Sequence, residues 1–229
     1  CASAISLMSY MITPYSQKVR VSEKQDMVEQ IKEVKSVFLA NPAFFGFILL
    51  SCVAYPVLTF LGKLVPIYFS EQGISGSWVA MYNVALGLGA IMTGILVPKI
   101  LANYRHQAIM RYSVLILAFM LFVMGSFQQP ALIIAVTLVY GGVNALNRIA
   151  RVNWMHHKVE ISQRGRIDGG LAMFSTSLQS LSYVVIALLS HYGITNLGFF
   201  IASAVLLLSA ILMTKLRHKE SIRGELVLS

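Results

Sequence analysis

The sequence predicts an all-α, polytopic membrane protein built as a six-helix transmembrane bundle. Three observations carry that prediction. Charged residues make up 12% of the 229-residue chain and hydrophobic residues 57%, about half the charged share of a soluble domain. The apolar residues gather in six runs, each near the roughly 20 residues that a helix needs to cross a bilayer. The lysines and arginines also alternate along the chain. Seventeen of the 18 fall in segments 15–40, 99–111, 148–166 and 215–229, and the links 71–76, 128–130 and 191–195 hold none. A chain folded in water has no reason to distribute cations this way. A chain that crosses a membrane six times places them beside the cytoplasmic leaflet at every second link.

The alternation puts the segment from residue 15 and the C-terminus in the cytoplasm, with the bundle in the cytoplasmic membrane. It also accounts for the net charge of +9. The bases lie between apolar runs rather than on one folded face, so a nucleic-acid partner is not expected. Cys1 and Cys52 form no metal pattern, and His156-His157 has no third ligand at a usable spacing. No metal or cofactor is expected.

Taken in order, residues 1–14 read as the end of a preceding transmembrane helix, because the chain opens in mid-hydrophobic run without an initiator Met. Residues 15–42 read as a cytoplasmic amphipathic linker, with Met27, Ile31, Val34 and Phe38 at helical spacing. Asn41-Pro42 has the form of an N-cap followed by proline at the first helical position. The bundle proper is expected over 43–214. Its first span, 43–70, carries Pro56 and Pro66, and both are expected to interrupt it. The second, 77–98, contains Gly87, Gly89 and Gly94, small enough for close helix approach, and a charged link, 99–111, follows. The third span covers 112–127 and ends at the turn Gln128-Gln129-Pro130. The fourth covers 131–150 and contains Gly141-Gly142, best explained by a close crossing. After a basic loop at 156–166 come the fifth span, 167–190, and the sixth, 196–214. A basic, frayed tail is expected over 215–229.

These features resemble the second half of a major facilitator superfamily transporter: an amphipathic cytoplasmic linker, then six spans ending inside. The run Val34-Lys35-Ser36-Val37-Phe38-Leu39-Ala40-Asn41-Pro42-Ala43-Phe44 is similar to the approach to that family's seventh helix. The stretch 69–99 resembles the connection into its eighth helix. The loop with Arg164-Gly165-Arg166 and Gly169-Gly170 resembles its ten–eleven connection. The segment 98–106 lacks the aspartate and the Gly-Arg-Arg run usual in the family's loop between helices two and three.

The resemblance implies half of a major facilitator fold, whose partner is the N-terminal six-helix half of the same protein. It implies a secondary active transporter, not an enzyme, that exports a small organic molecule (drug, metabolite or siderophore). Proton antiport with alternating access would drive it. No Asp or Glu lies in the middle of a span, so the coupling acid is expected in the other half. The alternative is a structural or accessory helical bundle that transports nothing. A lipid-modifying enzyme would need clustered His, Asp or Glu at the membrane face, which the sequence lacks.

Within that frame Lys63, the one charge inside the first two spans, is a substrate-path candidate because an ionised lysine in hydrocarbon is costly. Snorkelling to the outer headgroups is its competing explanation. Tyr55, Thr59 and Tyr82 are candidates for the same path, with packing as the alternative. Asn83 and Gln179 are candidate cargo contacts, with helix-to-helix hydrogen bonding as theirs. Asn144, Asn147 and Arg151 follow an i, i+3, i+7 spacing with Arg148 adjacent. Arg148 or Arg151 pairing with Asp168 would form a cytoplasmic gate, unless both arginines are ordinary membrane anchors.

Overall fold

The computed structural model describes residues 38–39 and 41–227. The expectations for residues 1–14 and for the linker up to residue 37 lie outside them. From Pro42 onward the described residues form seven helices: α1 Pro42–Cys52, α2 Ala54–Glu71, α3 Gly76–Asn103, α4 His106–Phe127, α5 Pro130–Lys158, α6 Ile161–His191 and α7 Leu197–Val227. With α1 and α2 in line as one span, six are long and apolar enough to cross a membrane. The links are a few residues long, so consecutive spans run antiparallel.

Local chemistry sets the ends. Pro42 occupies the first turn of α1, and Asn41 Oδ1 accepts a hydrogen bond from the Phe44 amide at 3.4 Å. Gln128 closes α4 with φ 45°, and the Tyr68 hydroxyl donates to its carbonyl at 3.3 Å. The break between α1 and α2 falls at Val53, three residues before Pro56. Proline has no amide hydrogen to give the carbonyl four residues back, and its ring crowds that carbonyl. In this chain the carbonyl is that of Cys52, the last residue of α1.

Several expected boundaries move. Pro66 sits inside α2 and Pro98 inside α3 without ending either helix. The carbonyls they deprive belong to Gly62 and Gly94, neither of which has a neighbouring atom within 4 Å of a Cβ position. The open space beside both positions leaves the backbone room to adjust. The basic links shorten accordingly: α3 runs to Asn103 and α4 starts at His106, while α5 runs to Lys158 and α6 starts at Ile161. Residues 215–227, expected as a frayed tail, continue α7. Charge marks where a helix leaves hydrocarbon, and the helix itself continues for further turns.

The first span is the centre of the bundle: 67% of its most apolar stretch is buried, against 17% in α3 and in α6. Its α2 part packs on α6 and its α1 part on α7, while α3 packs on α5, and α4 on α5 and α7. Leu61, Leu64, Val65 and Phe69 interlock with Leu117, Leu121, Ile133 and Phe199. The α3–α5 crossing is closest. A Cβ on Gly89 would lie 1.8 Å from the Leu138 carbonyl oxygen, one on Gly141 2.3 Å from that of Leu86, and one on Gly142 2.4 Å from Thr93 Oγ1. Gly141-Gly142 is therefore a crossing point, as its sequence indicates. Gly87 and Gly94, grouped with Gly89 in sequence, meet nothing: they lie off the contact face.

The two ends of the bundle differ. At one end the rings of His106 and His157 approach to 6.1 Å. At the other, Glu71 accepts from Ser190 Oγ at 3.2 Å and from Thr195 Oγ1, tying the end of α2 to the α6–α7 turn. The first end carries the basic links and the second carries none.

Candidate functional site

Polar contacts concentrate where the first span is broken. Ser51, fully buried in the last turn of α1, donates through Oγ to Asn147 Oδ1 at 2.8 Å. Asn147 Nδ2 donates to the Ser51 carbonyl at 3.1 Å, and Arg151 Nη1 donates to the same carbonyl at 3.2 Å. One position thus makes three bonds with α5, donating one and accepting two. Its neighbour Cys52 places Sγ 3.1 Å from Ser175 Oγ of α6. A carbonyl beside a helix break needs partners inside a bilayer, where water does not supply them. Asn147 and Arg151 are those partners.

Two cavities with polar side chains on their walls flank this lock. One, of about 430 Å³, lies between α1–α2, α5 and α6, with Tyr55, Arg148, Arg151, Asp168, Thr176 and Gln179 on its walls. The other, of about 650 Å³, lies between α2, α3 and α5, with Asn83, Gly87, Asn144, Arg148 and Asn153 among its lining residues. Arg148 and Val152 belong to both walls. Arg148 and Asp168 are exposed, and Arg151 is half-buried.

The residues singled out in the sequence divide as follows. Tyr55, Gln179, Arg148, Arg151 and Asp168 meet in the first cavity, and Asn83, Asn144 and Arg148 in the second. Asn144 and Asn147, three apart on α5, reach different neighbours: Asn144 lines the second cavity and Asn147 is buried against Ser51. Asn147 and Arg151 both bond to Ser51 of α1, and Asn144 and Arg148 both line the second cavity. Among the described residues no salt bridge joins either arginine to Asp168, and Arg151 Nη1 is bonded to the Ser51 carbonyl. Tyr82 lines neither cavity. It is 1% exposed within the main core, seven residues before Gly89 and so on the α3 face that packs against α5. Thr59 bonds back to the Tyr55 carbonyl at 3.2 Å, and Lys63 is exposed one turn further along the same stripe. Neither is among the residues lining the two cavities.

Sequence reasoning missed Ser51, Cys52, Ser175 and Glu71. Ser51 and Cys52 left a trace as a small polar pair just ahead of Pro56 in an apolar run. Glu71 left one as the sole acid in a link without bases. Among the described residues, no three His, Cys, Asp or Glu gather as a metal would require.

Six spans around a broken central helix, with cavities between them, define an all-α polytopic membrane protein of the major facilitator type. Residues 1–182 match the MFS_1 like family, and the chain belongs to it. No curated protein and no solved structure matches the chain.

Proposed function

We propose that this chain is the C-terminal half of a secondary active transporter that exports a small organic molecule across the cytoplasmic membrane by proton antiport. The class of cargo is that of drugs, metabolites or siderophores. The observation that carries this reading is the exposure of Arg148, Asp168 and Thr176 on helices long enough to cross a membrane. Charged groups do not face hydrocarbon, so a second bundle and a water path cover this side. Family membership supports the same arrangement.

In the cycle we infer, cargo enters between the halves and meets Arg148, Tyr55 and Gln179. Two guanidiniums against one carboxylate favour an anionic group on it. Lys63, further along the exposed stripe of α2, draws the same anion toward the far side. Arg151 stays bonded to Ser51 and holds α5 to the central span. Arg148 is free, and it closes on Asp168 as the halves rock together, sealing the cytoplasmic side. The titrating acid sits on the other half. The cation-bearing links and the C-terminus face the cytoplasm.

The test uses the full-length protein in proteoliposomes with an imposed pH gradient and a panel of labelled carboxylates, hydroxamates and cationic dyes. Gradient-driven movement of an anionic member, lost in Arg148→Ala, is the expected result. No gradient-dependent movement of any member would overturn transport and leave the structural or accessory reading.

A further inference from the structure

A third cavity, of about 600 Å³, opens at the basic end of the bundle and shares no residue with the two described above. Phe44, Phe45 and Trp154 give it an aromatic side, with the Phe44 and Trp154 rings edge-on at 4.6 Å. Arg105 and Lys158 supply its charge, with the His106 ring beside them, and no acidic residue is among those lining it. The Arg105 and Lys158 side chains take part in no hydrogen bond or ion pair among the described residues. The His157 ring, 6.1 Å from that of His106, adds a further base. The first turn of α4 also opens here, and its N-cap Arg105 makes no side-chain capping bond, so the positive end of that helix is unmasked.

A recess with charges of one sign and no counter-charge concentrates anions. Simple membrane anchors would spread into the headgroup region rather than converge on one cavity beside a tryptophan. The volume lies in the range of ligand pockets and exceeds the need of a bare inorganic ion. We propose that this cavity is a binding site for a phosphate ester, with the phosphate between Arg105 and Lys158 and its glycerol-like portion against Phe44 and Trp154. The end of the bundle at which it lies borders the headgroups, so a phosphatidylglycerol headgroup is the source that fits the position. A soluble phosphate ester shares the chemistry.

The test uses the full-length protein in neutral detergent, with wild type and R105Q/K158Q compared by thermal unfolding. Dioleoylphosphatidylglycerol is expected to raise the wild-type midpoint above that in dioleoylphosphatidylcholine, with the increment at least halved in the variant. Glycerol 3-phosphate forms a separate arm, and an equal increment from it upholds the phosphate site and assigns it to a soluble ester. A second readout does not depend on the variant's folding. With Trp154 as sole tryptophan, brominated phosphatidylglycerol should quench its fluorescence at least twice as strongly as brominated phosphatidylcholine. Equal quenching by the two lipids, or equal midpoint increments in wild type and variant, would overturn the proposal.

Discussion

Gly89→Ala tests the crossing on which the α3 side of the bundle depends. The added carbon would lie 1.8 Å from the Leu138 carbonyl oxygen, 2.9 Å from the Leu138 carbonyl carbon and 3.0 Å from the Gly142 amide nitrogen. All three are backbone atoms, so no rotamer change relieves the contact. Ordinary contact begins at about 3.5 Å, so α3 and α5 must part by about 1.5 Å, and gaps of half that size already forfeit a quarter or more of each dispersion contact. The neighbouring close approaches at Gly141 and Gly142 loosen together. Overpacking of this kind costs about 1–3 kcal/mol and sometimes more; with a backbone clash at the tightest point, about 3 kcal/mol is the expected loss. The control lies on the same helix. Gly94→Ala meets no atom within 4 Å and should be neutral or gain about 0.5–1 kcal/mol from the lost glycine freedom. Reversible unfolding in mixed micelles of neutral detergent and dodecyl sulfate, followed by circular dichroism, separates the two. Matching midpoints for Gly89→Ala and Gly94→Ala would refute the reasoning.

Replacing Asn147 by Ala removes two of the three bonds made to Ser51 and should cost about 1–3 kcal/mol. A double-mutant cycle with Ser51→Ala should recover much of that, and strict additivity of the two changes would count against the lock. Arg148→Asp or Asp168→Arg alone should abolish transport with little change in unfolding, and the combined exchange should restore part of it; no recovery would remove the Arg148–Asp168 closure. Lys63→Ala, at an exposed position, should lower the apparent affinity for an anionic cargo several-fold and leave unfolding within about 0.5 kcal/mol. Equal transport of anionic and cationic cargo before and after the change would reject its role.

The six spans were legible because hydropathy and length are one-dimensional properties, and hydrocarbon thickness reads both directly. The break at Val53 was half legible: Pro56 announced it, but so did Pro66, and only the neighbours of each carbonyl decide which proline is absorbed. Helix ends were misplaced at Pro98 and at residues 156–166 because basic residues mark the membrane boundary while the helices continue beyond it. The arginines and Asp168 were found, since charge near a span is conspicuous. Where Arg151 bonds was not, because it depends on a serine carbonyl that another helix brings beside it. Tyr82 and Asn83 show the same limit. They are adjacent in sequence, yet one is buried against α5 and the other lines a cavity, and only the position of Gly89 on the packed face separates them.

The interruption at Val53 divides the labour of the central rod. A continuous rod would turn as one body, so that any tilt at the histidine-bearing end would be mirrored at the Glu71 end. With the interruption one third of the way along, the short piece is fastened mainly to α7 and α5 and the long piece mainly to α6, while Cys52 at the boundary also meets Ser175 of α6. The two mouths of the bundle are therefore braced by different neighbours.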